Sequence, residues 1–502
     1  MDTEIEIKFF VSPQAVDLMP ELFDKYQVCS INKQQLSNVY FDTSERELQK
    51  AGLGLRVRCF DDKIEQTIKL SGSVVGGLHQ RPEYNESIAS NRPELSRFKA
   101  DIWPEGFEAA DLQARINPVF SNDFERQTWL IDCNGKGLVE VAFDLGEIST
   151  ANGHESICEI ELELLKGSEE VLFLLAQDIA TLPEARLVNQ SKAQRGYALA
   201  QEQPLQEQAL DYVSVTAQGS VLQNMLAAFQ YGLSYWQHHE YLYLAHNQLS
   251  ALMKMRDGIN FIHQASVTYL QAMQQTQYQD WLGELNWLSS KLSWLDEYYA
   301  LCTLTENKGH FIKKLSDYKG LKHSLKDQLG RLPDETAVKE LITSTRYCQL
   351  VLNLTQWMLE CSKMPQNAVL TQTFEPFAEK VLAKSWQELL GSNLANDGVE
   401  LAHYMAMKGQ LSRNLMVGTC VGACFNDDAR DEFRFPWLDI LRGIEDLELL
   451  LPVFDYGQQL EEGEEKKKVL KWVKRKRQSI LHAMDLSRSQ ALQFSPYWHN
   501  EA

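Results

Sequence analysis

The sequence predicts an α+β first half, built mostly of antiparallel strands, joined to an all-α helical bundle. Three observations carry that prediction. Up to about residue 200, short runs alternate charged and apolar side chains with a period of two and are separated by turn signals. From residue 209 onward, apolar residues recur at helical spacing over long stretches. Between them, residues 201–208 are polar, rich in Gln and contain Pro204, and read as a linker.

The first strand-like run is Glu4-Ile5-Glu6-Ile7-Lys8. Alternate strand side chains share a face, so Glu4, Glu6 and Lys8 point one way and Ile5, Ile7 and Phe9 the other. A helix is predicted over residues 12–26, with Ser12 as N-cap and Pro13 in the first turn. Further alternating runs carry Arg56 and Arg58 around Val57, then Glu65, Thr67 and Lys69, then His79, Arg81 and Glu83. Asp144 ends the apolar run 139–143, and Glu159, Glu161 and Glu163 alternate with Ile160, Leu162 and Leu164. Turn signals fall at Ser71-Gly72-Ser73, Gly76-Gly77, Asn134-Gly135 and Asn152-Gly153, and Asn-Gly between apolar runs signals a hairpin. A second helix is predicted over residues 168–179, capped by Ser168, with Glu169 and Glu170 in its first turn. In the second half, helical periodicity covers residues 221–233, 241–262, 280–304, 337–360 and 376–390. The Trp and Tyr residues at that spacing read as helix–helix core.

A single charged strand face is ordinarily a solvated outer face. Five or six such runs, mixing acids with Arg and Lys, imply a shared polar surface. If the strands close into a barrel, that surface is a lumen across which the charges face one another. Buried charges need partners or ligands, and rows of acids beside rows of bases suit a metal-bound polyanion.

With 502 residues, 44% hydrophobic and 24% charged, the composition is globular and allows two or three domains. A net charge of −20 and a pI near 5.1 argue against non-specific nucleic-acid binding. There is no basic and apolar leader and no run of about 18 apolar residues, so neither export nor a membrane span is expected. Nine scattered cysteines fit reduced thiols in the cytoplasm. Cys420 and Cys424 lack a second Cys or His pair, so zinc is not expected.

The charged runs carry a family signature. Glu4-x-Glu6-x-Lys8, Gly54-Leu55-Arg56-Val57-Arg58, Thr67-Ile68-Lys69, the stretch 76–84, Phe124-Glu125-Arg126, Glu159-Ile160-Glu161-Leu162-Glu163 and Ser191-Lys192-Ala193-x-Arg195-Gly196-Tyr197 follow one another as in the CYTH superfamily, the triphosphate tunnel metalloenzymes. The stretch 76–84, followed by a helical half, resembles the bacterial CYTH–CHAD inorganic triphosphatases in particular. The resemblance implies an eight-stranded antiparallel barrel open as a tunnel, and a tripolyphosphate hydrolase using Mg²⁺ or Mn²⁺. It places the tunnel domain at residues 1–200 and the helical CHAD-like domain at 209–502.

Carried onto this chain, the resemblance gives Lys8, Arg56, Arg58, Lys69, Arg81, Arg126 and Lys192 to phosphoryl oxygens, for which Arg offers bidentate contacts and Lys a point charge. It gives Glu4, Glu6, Glu161 and Glu163 to metal, with Glu159, Glu83 and Asp144 as further acids. Both Glu159-x-Glu161 and Glu161-x-Glu163 fit the motif, so the ligand pair is open. Glu4, Glu6 and Lys8 are the catalytic candidates, Glu4 or Glu6 serving a metal on the side of the attacking water. Blander expectations hold for other residues: Arg195 caps the last helix, His79 is a satisfied wall histidine, Glu65 pairs with Lys69, and Tyr84 and Tyr197 pack. Thiamine triphosphatase or class IV adenylate cyclase activity would use the same tunnel, and a non-catalytic polyphosphate scaffold is the alternative of another class. In the helical half, His238, His239, Lys254, Arg256, His263, Lys313, Lys314, His403, Lys408, Arg413 and Arg442 are a thin set for long-chain polyphosphate. The basic run 466–477 follows acids and reads as a solvated helix face.

Overall fold

The computed structural model describes residues 2–60, 63–201, 205–273, 279–306, 319–363, 368–391 and 400–499. The backbone divides into two compact units, Met1–Glu207 with Lys339–Cys361, and Gln208–Val338 with Ser362–Ala502.

The first unit is a closed antiparallel barrel. Its strands are β1 (Asp2–Phe10), β2 (Gln27–Asp42), β3 (Gly54–Phe60), β4 (Lys63–Lys69), β5 (Ser73–Val75), β6 (Leu78–Ser87), β7 (Asn117–Asp132), β8 (Leu138–Thr150), β9 (Gly153–Lys166) and β10 (Arg186–Leu187). Pairing runs β1-β9-β8-β7-β2-β3-β4-β6 and returns to β1, so eight strands close the wall. The closing register sets Glu4 opposite Arg81 and Glu6 opposite His79, and on β1's other side Glu6 opposite Glu163 and Lys8 opposite Glu161. β5 and β10 only extend the edges of β6 and β1.

The pleat sorts the two kinds of side chain. Ile7, Phe9, Val139, Val141, Ile160 and Leu162 are buried on the outer face. Helices α1 (Ala15–Phe23) and α4 (Glu169–Ile179) supply apolar cover there: Phe23 meets Trp129 edge-on at 5.8 Å, and Leu172, Leu175 and Ile179 are fully buried. On another side, Leu55, Val57 and Ile68 pack under Leu95, Phe98, Ile102 and Leu112, from the connection that includes α3 (Ala109–Arg115). A third cluster, Leu36, Tyr40, Phe120, Phe124, Ile148, Ile157 and Tyr197, brings the helix α5 (Lys192–Ala200) against the inward faces of β2, β7, β8 and β9. The short helix α2 (Glu47–Lys50) is tied down by Asp42, whose carboxylate accepts from the backbone N–H groups of Leu48 and Gln49.

The Asn134-Gly135 hairpin forms with φ of +56° and +75°, the signature of a tight primed turn. Two cap expectations need correction. The first helix starts at Ala15 and its N-cap is Gln14; Ser12 sits in the preceding turn with its hydroxyl unbonded. Ser168 does stand at the N-cap of α4, but its side chain makes no capping bond.

The second unit is helical in its described residues. Helices α6 (Val221–His246) and α7 (Leu249–Met273) form an antiparallel pair. The run 241–262, expected as one helix, is broken at Asn247, which takes the left-handed conformation with φ +50°. The run 280–304 is likewise split into Gln279–Lys291 and Leu295–Thr305, and the run 337–360, most of which belongs to the first unit, into Glu335–Ile342 and Thr345–Lys363. The run 376–390 lies within Phe374–Gly391. The basic run belongs to Glu464–Ala491, which buries Val469 and Val473 and exposes Lys467, Lys468, Lys471, Lys474 and Arg475. Among the described residues no helix is long and apolar enough to cross a membrane.

Candidate functional site

The barrel encloses a cavity of about 1210 Å³. Its wall is assembled by strand alternation: Glu4 and Lys8 from β1, Arg56 and Arg58 from β3, Lys69 from β4, Arg81 and Glu83 from β6, Arg126 from β7, Glu161 and Glu163 from β9, and Lys192 from α5. Glu6, Asp144 and Glu159 stand directly behind these, almost fully buried. Every residue singled out in the first half for phosphate or metal therefore converges on one lumen.

Most of the charges are paired. Lys8 Nζ lies 2.6 Å from Glu161 and 3.1 Å from Glu6. Lys69 bridges Glu4 at 2.7 Å and Glu83 at 2.6 Å. Arg81 reaches Glu6 at 2.8 Å and Glu4 at 3.3 Å. Arg126 holds Asp144 and Glu161, both at 2.6 Å. Lys192 holds Asp144 at 2.7 Å, Glu161 at 3.0 Å and Glu159. Burial opposes these charges, but the partners win. Lys192, Lys8 and Arg126 hold the Glu161 carboxyl well below its usual range, and Lys69 and Arg56 bring Glu83 down to about 2.

Among the residues assigned to phosphate or metal, two are left out of this pairing. Arg58 has no carboxylate within 4 Å among the described residues; its Nε donates to Asn38 Oδ1 at 2.8 Å. Burial, then the neighbouring Arg56 and Arg126, push its guanidinium down to about 9. Glu163 has no ion pair among the described residues either. Burial, then Glu4 and Glu6, push its carboxyl up to about 7. A cation waiting for an anion and an acid waiting for a cation lie in the same cavity.

Two acid groups suit a hard divalent cation, which takes oxygen ligands. Asp144, Glu159 and Glu161 can bring carboxylate oxygens within 4.8 Å of one another. Glu163, opposed to Glu6 and crowded by Glu4, is held towards its protonated form, which a cation bound beside it would reverse. The residues present therefore fit a metal.

The remaining sequence readings resolve individually. His79 Nε2 lies 3.0 Å from the Val188 carbonyl, and burial, then Lys8, push the imidazole down to about 4, so it is a neutral wall residue. Glu65 does not pair with Lys69, which turns to Glu4 and Glu83 instead. Arg195 lies inside α5, whose caps are Ser191 and Gln201, and it holds Glu155 at 2.6 Å and Glu159 at 3.1 Å. Tyr197 packs edge-on against Phe120 and donates its hydroxyl to Asp42 at 3.0 Å. Tyr84 packs against the cluster around Leu55 and Ile68.

Sequence reasoning missed Tyr40, Asn38 and Asn122, all buried and all lining the cavity. Tyr40 lies opposite Arg56 and stacks on Phe120 at 4.4 Å. Burial would raise its phenol, but Arg56, Lys69, Arg58 and Lys192 together hold it below the usual range. The signal was available: period two along β2 puts Asn38 and Tyr40 on the face that meets Arg58 and Arg56.

In the helical unit, several of the described cationic candidates are matched by acids or amides. Arg256 is held by Asp296 at 2.5 Å and Lys408 by Glu448 at 2.6 Å. His263 is hydrogen-bonded to Asn286, and Arg442 lies 3.4 Å from Asp439. Lys313 and Lys314 lie outside the described residues.

Comparison with known proteins agrees with this geometry. The CYTH domain family matches residues 2–197 and the CHAD domain family residues 227–414. An inorganic triphosphatase from Haemophilus influenzae is 34% identical over 200 residues, 40% of this chain and 56% of the relative. The chain thus spans little more than half the length of that curated relative. Among solved structures, a Ricinus communis CHAD domain is 15% identical over 59% of this chain and 98% of its own, with a TM-score of 0.44. A Hippeastrum protein named for adenylyl cyclase, with a dominant triphosphatase activity, is 20% identical over 40% of this chain and 97% of its own, with a TM-score of 0.30. The two family matches give the chain a CYTH domain at residues 2–197, which forms the tunnel, and a CHAD domain at residues 227–414 of the helical region.

Proposed function

We propose that the chain is a metal-dependent inorganic triphosphatase that hydrolyses tripolyphosphate to pyrophosphate and phosphate inside the barrel, in the cytoplasm. The observation that carries this reading is the convergence of cations on one enclosed cavity, with Arg58 lacking a carboxylate and Glu163 lacking a cation.

On this reading Lys8, Arg56, Arg58, Lys69, Arg81, Arg126 and Lys192 hold and align phosphoryl oxygens, the Arg residues bidentately. Glu4, Glu6 and Glu163 would hold Mg²⁺ or Mn²⁺ on the water side, and Asp144, Glu159 and Glu161 form the other acid set. A divalent cation bound there would neutralise phosphoryl oxygens and acidify a bound water. The enclosure limits competing water, and the preset cations stabilise charge on the departing phosphate without reorganisation. On the same reading Lys8, paired with Glu6 and Glu161, would pass from these acids to a phosphoryl oxygen when substrate binds.

The helical region is assigned a structural or docking role, because its Arg256 and Lys408 are already matched by acids. Phosphate and cyclic-nucleotide release from tripolyphosphate, thiamine triphosphate and ATP, measured with Mg²⁺, Mn²⁺ or EDTA, tests the proposal. Metal-dependent turnover greatest on tripolyphosphate is expected. Turnover confined to thiamine triphosphate or ATP would move the assignment within the same tunnel, and no turnover on any substrate would leave a binding scaffold.

A further inference from the structure

A hydrogen-bonded chain inside the tunnel has only one polarity open to it. Arg58 Nε can only donate, and it donates to Asn38 Oδ1 at 2.8 Å. That contact fixes the Asn38 amide, whose Nδ2 then donates to Asn122 Oδ1 at 2.7 Å. Asn122 is fixed in turn, because turning its amide over would set two NH₂ groups against each other. Its oxygen is thus used, and its Nδ2 is left with no acceptor among the described residues.

Asn122 is 0% exposed, so this is a buried donor without a partner. Such groups are rare and mark a missing water, ion or ligand oxygen. The residue belongs to the inward face of β7 with Phe124 and Arg126, and all three line the cavity. Arg56 Nε, on the strand beyond Asn38, is a second buried donor without a partner. The unmet donors therefore gather at the Arg58 side of the tunnel, while the unmet acid, Glu163, neighbours Glu4 and Glu6.

We infer that Asn122 is a substrate-contacting residue whose Nδ2 donates to an oxygen of the polyphosphoryl anion held beside Arg58. This rests on the reading of the tunnel as a triphosphate site. Asn38 is the positioning residue: held by Arg58, it turns the Asn122 amide so that donors, not acceptors, face the anion. The contact is one of binding rather than of bond-breaking, so it acts equally on ground and transition states.

Two substitutions in the full chain test it. Asn122→Asp keeps the shape and an oxygen for Asn38 Nδ2, but puts a charged acceptor where the donor stood. Asn122→Leu removes the donor without adding charge. The readouts are calorimetric titration with tripolyphosphate, with and without Mg²⁺, steady-state turnover, and thermal melting. Asn122→Asp is expected to raise Kd and KM for tripolyphosphate by about tenfold or more, and Asn122→Leu by less, with kcat within about threefold. Kd and KM within twofold of the parent for Asn122→Leu would overturn the inference, whether or not Asn122→Asp folds. So would a lowered kcat and melting temperature with Kd unchanged, the mark of a purely structural amide. A parent protein that binds tripolyphosphate without hydrolysing it would refute the enzymatic reading while Kd still judges Asn122; a parent that does not bind it overturns both.

Discussion

Exchanging Glu163 for Gln removes one charge from the tunnel and almost none of its shape. Glu163 faces Glu6 across the β1–β9 register, and burial with the Glu4 and Glu6 charges moves its carboxyl from 4.5 to about 7. A displacement of that size corresponds to at most about 3 kcal/mol, which screening by water in the open tunnel reduces to about 1–3 kcal/mol. The sign follows from proton binding. Below pH 4.5 the carboxyl is protonated in the folded and unfolded chains alike and costs nothing. Between 4.5 and about 7 the unfolded chain has released its proton while the folded chain retains it, so the fold loses stability as pH rises. Above about 7 the full cost is present. Glu163→Gln is therefore expected to equal the parent at pH 4.5 and to exceed it by about 1–3 kcal/mol at pH 8, in urea unfolding with EDTA followed on the transition of the tunnel unit. The same variant is expected to lose at least about tenfold in metal-dependent phosphate release, the trade of stability for function typical of a charged site. A variant no more stable than the parent at pH 8, or equally stabilised at both pH values, would refute the reasoning.

Lys192→Met strips a cation from Asp144, Glu159 and Glu161 and should cost about 3–5 kcal/mol, or about 6–20 °C in the melting of a unit this size. Calorimetry should also show Mg²⁺ restoring more stability to this variant than to the parent, because the acids have lost a competitor. His79, pushed down to about 4, binds protons in the unfolded chain first, so the parent loses stability as pH falls from about 6.5 towards 4. His79→Gln should flatten that loss and leave the activity profile between pH 5 and 8 unaltered, as rate measurements across that range will show. Tyr197→Phe removes the hydroxyl that donates to Asp42 at 3.0 Å and should lower stability by about 1.5–3 kcal/mol, read from the same melts. Gly146→Ala would bring a Cβ within 2.1 Å of the Asp123 carbonyl and 2.5 Å of Phe124 Cα on the neighbouring strand, so loss of the folded barrel by circular dichroism is expected.

The charged faces were legible because a period of two assigns them without knowledge of the partner strands. Glu4, Glu6 and Lys8 could point only one way once Ile7 and Phe9 were taken as core. Closure was not legible from periodicity, since β1 joins β6 and β9 through pairings some 70 to 160 residues distant; the order of the motifs supplied it. The expected Glu65–Lys69 pair failed for a geometric reason: four residues along a strand span roughly 13 Å, so Lys69 turns instead to Glu83 on the adjacent β6 and to Glu4 on β1 beyond it. Asn38, Tyr40 and Asn122 escaped a search keyed on charge, because their strands bring few charges to the lumen. In the helical half, apolar periodicity ran on through positions where the backbone turns. Only Asn247, a residue tolerant of the left-handed region, hinted at one of those breaks.

The pairing inside the tunnel bears on how its ligands bind. Lys69, Arg81, Lys8, Arg126 and Lys192 each hold carboxylates, so a phosphate can take them only by displacing acids. A polyanion entering alone would strand Glu4, Glu6 and Glu161 in a buried place without counter-charge, which is costly. A divalent cation entering alone would draw the same carboxylates away and strand the lysines and arginines. When both enter together, cations pass to phosphoryl oxygens and carboxylates to metal, and no charge is left unmatched. On this reading metal and triphosphate bind cooperatively, each lowering the cost of the other, and by linkage the coupling is the same in both directions. Arg58 and Glu163 stand outside the exchange because neither is in an ion pair among the described residues. They are the positions from which the anion and the cation can begin to bind before any ion pair has to open.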